Sequence, residues 1–298
     1  MKAACVYIAP LDRILEVKEE VKNIIFEKGN FIVAAGPLQK SYWAQNIWID
    51  AKIEKIESIK KAALFLKAKQ RNWWHYPLEQ VRRTKLIQEA LPSIKGGKLN
   101  FPAIIPQSPL GSFALKSETE MIYSAQCTQV LPNGEFHFEE APVETPSEAY
   151  LKLWEALTRI GKWPAGGDYC VDIGSAPGSW TQALLRLSAN VFSVDKASLE
   201  IMEGSRLTFV KKDAFKIKPE EVEHPTWILS DIICYPEKLY ELAQDWLKVH
   251  PKANFVFTIK FQGKWDKHVV EKFERIPNSK VLHLFNNKHE LCWIRIPN

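Results

Sequence analysis

The chain has 298 residues, 46% of them hydrophobic and 25% charged, with 40 Lys and Arg against 35 Asp and Glu for a formal net charge of +5. That composition excludes a disordered or low-complexity chain, and the length allows two separate cores. Five scattered cysteines without a C-x-x-C pair exclude zinc and dithiol motifs of that spacing and suit a reducing, cytoplasmic setting; no metal site is expected.

The opening stretch, MKAACVYIAPLDRILE, meets charge by Asp12, too soon for the apolar region of a signal peptide. No run approaches the roughly 20 apolar residues of a membrane helix. Residues 3–9 and 31–36 read as strands around an amphipathic helix near 12–28, where Ile14, Leu15, Val21, Ile24 and Ile25 recur at helical spacing. A strand near 46–54 and a helix near 56–70 follow. The next helix is predicted from about Leu78 to Ala90, entered after Pro77 and stopped by Pro92. Short β pieces fill 111–140, with a hairpin turn at Asn133-Gly134, and the acidic, proline-bearing stretch 139–148 marks a domain boundary. The expected units are therefore residues 1–143 and 144–298.

Charge is uneven between them. Residues 51–100 hold 12 Lys and Arg against 4 Asp and Glu, a local excess of 8 that exceeds the whole chain's. Such a segment fits either a polyanion-binding module or a solvated helical face. Within it, RNWWHYPLEQVRRTK interleaves cations with rings. Arg71, Arg82, Arg83 and Lys85 are the candidate phosphate contacts, and Trp73, Trp74 or Tyr76 could stack on bases, although adjacent tryptophans are more often core.

From Ser147 the pattern becomes regular: a helix to about Ile160, then strands at 169–174, 190–195, 207–212, 226–233, 254–261, 280–285 and 290–296. Helical stretches between successive strands predict parallel βαβ units in a doubly wound, Rossmann-like sheet. The last two strands are separated by only four residues, Asn286 to His289, so they should form an antiparallel hairpin at one edge.

Ligands of such sheets bind beyond the carboxyl ends of the strands, at the first strand-to-helix turn. Here that turn is DIGSAPGSW. Gly174 can bend sharply, Ser175 and Ala176 leave room for a ligand, and Pro177 suits a first helical position. Gly174 and Gly178 are four apart with no lysine following, which fits neither the dinucleotide nor the nucleoside triphosphate loop. A purely structural turn remains the alternative. Asp195, at the end of the second strand, is placed to accept from a ribose diol, and Asp213, after the third, to meet an adenine amine. With Asp172 and Asp231 they form a series that fits an adenosine-shaped ligand.

The run VDIGSAPGSW, with these acids and with SDII, TIKFQG and HELCW, resembles the FtsJ/RrmJ class of S-adenosylmethionine-dependent RNA 2′-O-ribose methyltransferases. PSEAYLKLWEA and the long N-terminal region are similar to the RlmM-like ribosomal RNA enzymes within that class. The resemblance implies a seven-stranded methyltransferase sheet over 144–298, S-adenosyl-L-methionine held by Gly174, Pro177, Gly178, Ser179, Trp180, Asp195, Asp213 and Asp231, and ribosomal RNA as partner. It implies an N-terminal α/β unit that selects the RNA, a THUMP-like module being one candidate. It also implies a Lys-Asp-Lys-Glu tetrad, here Lys152, Asp231, Lys260 and Glu290. Ser179 departs from the family's A-P-G-G-[FW], which has glycine there.

Taken from the residues alone, the tetrad could be a set of surface ion pairs, but Lys260 sits in the apolar run NFVFTIKF, where an ammonium needs a reason. Burial and a neighbouring Lys152 would both lower its pKa and let it take or polarise a ribose hydroxyl proton. A base-amine methyltransferase would carry an Asp/Asn-Pro-Pro-aromatic run, and a cytosine C5 enzyme a framed cysteine; SDIICYPE offers neither, and Cys234 reads as packing. A base methyltransferase and a non-catalytic RNA-binding scaffold are the rival readings.

Overall fold

The computed structural model describes residues 4–94, 97–139, 145–201 and 204–297. Their contacts divide the chain into two units, Met1–Leu99 with Ile104–His137, and Asn100–Ala103 with Phe138–Asn298. The boundary expected at 143/144 lies outside the described residues.

The first unit contains β1 (Ala4–Ile8), α1 (Ile14–Glu20), β2 (Ile24–Lys28), β3 (Phe31–Ala35), β4 (Asn46–Ile49), β5 (Lys52–Lys55), α2 (Ile59–Lys69), β6 (Trp73–His75), α3 (Val81–Glu89), β7 (Gly111–Leu115), β8 (Glu120–Ser124) and β9 (Gln126–Cys127). They build two sheets, β2-β3-β1-β4-β9 and β5-β8-β7-β6. Every pairing is antiparallel except β6 with β7.

Three expectations are corrected here. The helix predicted over 12–28 ends at Glu20, and Ile24–Lys28 is a strand paired with β3. Lys22 exchanges two hydrogen bonds with the Gln39 side chain and Asn23 turns to φ +58, so the helix cannot continue; Ile24 and Ile25 obey strand alternation instead. The strand predicted over 46–54 is two strands in different sheets, split where Asp50 takes φ +51. Asn133-Gly134 is not a hairpin turn. It lies in a single 3₁₀ turn, Pro132–Gly134, between no paired strands, and a Cβ on Gly134 would stand 2.6 Å from the Gln45 carbonyl oxygen.

The second unit contains α4 (Tyr150–Ile160), β10 (Tyr169–Ile173), α5 (Ser179–Arg186), β11 (Asn190–Asp195), β12 (Leu207–Lys211), β13 (Trp227–Ser230), α6 (Pro236–Val249), β14 (Asn254–Lys260), α7 (Lys267–Glu274), β15 (Ser279–Leu282) and β16 (Glu290–Arg295). Its sheet has seven strands in the order β12-β11-β10-β13-β14-β16-β15. Six strands share one direction, five of them paired side by side in parallel, and β16 alone is reversed, antiparallel to both β14 and β15, giving the expected edge hairpin. Phe255 and Phe257 of β14 each lie 5.5 Å from the Trp293 ring of β16, and Phe273 of α7 closes on the same ring at 5.2 Å. This buried aromatic cluster fixes the register that sets Lys260 opposite Glu290. The strand order reverses at β10, whose neighbours are β11 and β13, so the carboxyl ends of these three strands border one crevice. Among the described residues no helix is long and apolar enough to cross a membrane.

Candidate active site

The crevice is a cleft of about 360 Å³ between the β10–α5 turn and the ends of β11, β13 and β14. Gly174 opens the turn at φ +77, and a Cβ there would fall 2.6 Å from that of Ile232. Both facts demand glycine. Gly178 caps α5 at φ +116, so the helix begins at Ser179 and not, as expected, at Pro177. Pro177 still lines the cleft, ahead of the capping glycine.

Asp195 also lines the cleft. One carboxylate oxygen accepts from the Ala176 N–H at 3.0 Å and the other from Ala197 at 2.9 Å. The residue thus locks the turn while each oxygen keeps a further lone pair for a ligand. Asp213 does not line the cleft: its carboxylate meets Lys196 at 3.1 Å and the Phe215 N–H at 3.2 Å, contacts that hold it below the usual carboxylate range.

Asp172, at the end of β10, is buried and receives the Thr181 hydroxyl at 2.6 Å, which in turn meets Ser193 at 2.7 Å. Burial raises its pKa to about 7 against the opposing Thr181 hydrogen bond, with Asp231 and Asp195 adding to the rise.

The four tetrad residues come together as a chain of alternating charge. Lys260 Nζ lies 3.0 Å from Asp231 Oδ1 and also donates to the Asp231 carbonyl; Lys152 Nζ lies 3.4 Å from Asp231 Oδ2 and 2.6 Å from Glu290 Oε1. Thr258 donates to Asp231 Oδ1 at 2.5 Å. These side chains are 8 to 17% exposed, which removes the surface ion-pair reading. The nearest charge to Lys260 is an anion, not the neighbouring ammonium the sequence suggested. Burial alone would lower the Lys152 pKa, but the Asp231 and Glu290 carboxylates overcome it and hold it above its ordinary value. Asp231 and Lys260 line the cleft itself, so a hydroxyl bound there would face an amine held by a carboxylate.

Ser179 and Trp180 line the cleft as expected, but sequence reasoning missed Glu155 altogether and the positioning contacts of Ser179, Trp180 and Ser175. Ser179, where the family has glycine, contacts Ser147 Oγ at 2.8 Å and donates to its carbonyl at 3.1 Å, while the Trp180 indole donates to Ala149 at 2.8 Å. The start of α5 therefore pins the segment leading into α4, which carries Lys152. Glu155, fully buried on α4, accepts from the Phe285 and Asn286 backbone N–H groups at 2.8 and 2.9 Å, fixing the loop before Glu290. Ser175 is 5% exposed, and its Oγ, on the cleft wall, has no partner within the protein. A buried hydroxyl in that condition is open to a partner that enters the cleft, a ligand or a water. With the two positive-φ glycines and Asp195, it makes the cleft fit an amino-acid-bearing nucleoside such as S-adenosylmethionine.

Cys234 is buried, and burial pushes its thiol up to about 11 despite the offsetting charges of Lys238 and Lys260, which removes it as a nucleophile at neutral pH. Arg71, Arg82 and Lys85 are exposed on the first unit and Arg83 is half-buried, while Trp73 is fully buried core and Trp74 half-buried.

Sheet order and cleft together define a Rossmann-like methyltransferase domain. The FtsJ-like methyltransferase family model matches residues 145–297, and the chain belongs to that family, whose methyl donor is S-adenosylmethionine. The chain is 31% identical over 131 residues to ribosomal RNA large subunit methyltransferase M of Aggregatibacter aphrophilus, covering 41% of this chain and 36% of that protein. It is likewise 31% identical over 146 residues to the Idiomarina loihiensis protein of the same name, covering 46% and 39%. The matched segment thus spans well under half the length of these curated relatives. A solved structure described as a ribosomal RNA methyltransferase from Plasmodium falciparum superposes at a TM-score of 0.40 with 14% identity, over 51% of this chain and 97% of that one, too loosely to bear on function.

Proposed function

We propose that the protein is an RNA 2′-O-ribose methyltransferase acting in the cytoplasm on large-subunit ribosomal RNA. The observation that carries the proposal is the Lys260–Asp231–Lys152–Glu290 chain at the mouth of the cleft. Gly174, Ser175 and Asp195 would hold S-adenosylmethionine, which would supply a methyl group activated on a sulfonium and leave as the neutral thioether once the ribose oxygen has taken the methyl. Lys260 takes or polarises the proton of the ribose 2′-hydroxyl as that oxygen becomes nucleophilic. Asp231 orients the Lys260 amine, Lys152 neutralises Asp231 and lends positive charge near the developing oxyanion, and Glu290 holds Lys152 in place. Neither rival gives this chain a role: a base methyltransferase needs no paired lysines at a sugar oxygen, and a scaffold needs no desolvated charges over the strand ends.

In the first unit, Arg71, Arg82, Arg83 and Lys85 supply phosphate contacts that bring RNA to the enzyme. The test is transfer of isotopically labelled methyl from S-adenosylmethionine to ribosomal RNA lacking this modification, followed by nuclease digestion and mass analysis. A label on ribose, carried by a dinucleotide resistant to alkaline cleavage, is the expected result. A label on a base, or none, would remove the reading.

A further inference from the structure

The tryptophan pair has two different fates. Trp73 is fully buried, donating its indole N–H to the Leu66 and Gln70 carbonyls at 3.0 and 2.9 Å, and belongs to the core under α2 and α3. Trp74 points the other way on β6, an edge strand, as strand alternation requires. It forms part of the wall of a cavity of about 520 Å³ that lies wholly within the first unit. The wall is otherwise apolar at Leu99, Ile104, Pro106 and Leu131, and polar at Lys98, Glu135 and His137. Ile104 is 81% exposed and adds its apolar surface to the rim beside Leu99 and Pro106. Glu135 and His137 pair at 3.1 Å on the rim and remain well exposed.

We propose that this cavity binds one unpaired nucleobase of an RNA strand, stacked on the Trp74 ring, with Glu135 and His137 reading its hydrogen-bonding edge. A flat aromatic wall with a mixed donor and acceptor rim suits a heterocycle better than an aliphatic chain. Charge decides between a base and a neutral aromatic ligand. Helix α3 packs directly on the strand that bears Trp74, Gln88 donating to the Trp73 carbonyl at 3.0 Å, and its exposed face carries Arg82 and Lys85. Lys98 sits on the wall itself. These cations lie in the segment with 12 Lys and Arg against 4 acids, so phosphates flanking a bound base would find partners. The His75 ring, 5.3 Å from that of Trp74, braces the platform from the same strand.

The inference rests on RNA being the substrate but not on the methyl-transfer chemistry, so the two fail separately. Binding of a short labelled single-stranded RNA to the full chain is measured by anisotropy without cofactor, beside a duplex of equal length. Trp74→Ala should weaken single-strand binding about tenfold, the usual cost of one lost base stack, while Trp74→Phe keeps most of the affinity. Ile104→Ser, at a position too exposed to threaten folding, should weaken it severalfold. Duplex affinity and the salt dependence of binding should hardly change, since no charge is removed. Wild-type affinity in both Trp74→Ala and Ile104→Ser, or an equal loss on duplex, would overturn the assignment even if ribose methylation were established. Loss of methylation in a Lys260 variant that still shows the Trp74 dependence would leave it standing.

Discussion

Lys260 Nζ stands 3.0 Å from Asp231 Oδ1, at the ends of two adjacent parallel strands, and the second oxygen of that carboxylate turns to Lys152. One acid thus orients the amine that faces the cleft. Lys260→Ala should lower the rate of methyl transfer by about 10² to 10⁴, the range of a lost proton-transfer group. The dissociation constant for S-adenosylmethionine, read by calorimetry, should change less than threefold. Retained turnover would show that Lys260 is structural.

Asp195 makes a separable prediction. Asp195→Ala removes an acceptor from the cleft and releases the Ala176 and Ala197 N–H groups. Cofactor affinity should fall at least tenfold, as expected for one lost hydrogen bond to a charged group. Ser175→Ala, which removes an unpartnered hydroxyl, should weaken the cofactor by a smaller factor without lowering Tm. A fall in Tm with no change in cofactor affinity would mean that the hydroxyl serves the fold alone.

The pKa of Asp172, raised to about 7 by burial, has a consequence for stability. The unfolded chain releases this proton near pH 4 and the folded one near 7, so folding favours the protonated form. Its contribution is full below pH 4 and is lost as pH rises to 7, with a slope of at most about 1.4 kcal/mol per pH unit. Asp172→Asn cannot titrate. The difference in urea stability between the two proteins should therefore move in the variant's favour from pH 5 to 8. A constant difference across that range would show that Asp172 is ionised in the fold throughout.

Salt titration tests the basic face of the first unit. Replacing Arg82 and Arg83 by Gln should reduce the slope of log affinity against log salt by about 1.4 for single-stranded RNA, if each contacts one phosphate. An unchanged slope would put the phosphate path elsewhere. Arg82 is the more exposed of the two and should account for the larger part.

How much of this was legible in the sequence depends on how local the cause was. The seven strands of the second unit, their parallel order and the edge hairpin follow from apolar runs and connection lengths, which act within a few dozen residues. Gly174 and the acids at strand ends were readable because the turn chemistry there is demanding. The first unit was harder: Ile24 and Ile25 satisfy helical and strand spacing equally, and only Asn23 at φ +58 and the distant Gln39 decide between them. Trp73 and Trp74 could not be told apart until β6 was paired with β7. The partners of Lys152 lie 79 and 138 positions away in the chain, so that no window of sequence contains the charge pattern that surrounds it.

Glu155 shows the same non-locality and gives the most discriminating structural test. Its Oε1 accepts from Arg159 and the Phe285 N–H, and its Oε2 from the Asn286 N–H and side-chain amide, all at 2.8 to 2.9 Å. Four donors therefore converge on one buried carboxylate, and the amide of a Glu155→Gln variant must turn its NH₂ toward two of them whichever way it flips. Loss of charge pairing with Arg159 adds to that conflict. The expected cost is about 3 kcal/mol, or a fall in Tm on the order of 10 °C. Because Asn286 leads into the strand that begins with Glu290, the loosened loop should also lower kcat while leaving cofactor affinity near wild type. Glu155 does not line the cleft, so a kcat unchanged at a temperature well below the lowered Tm would confine its role to stability and detach the loop from the tetrad.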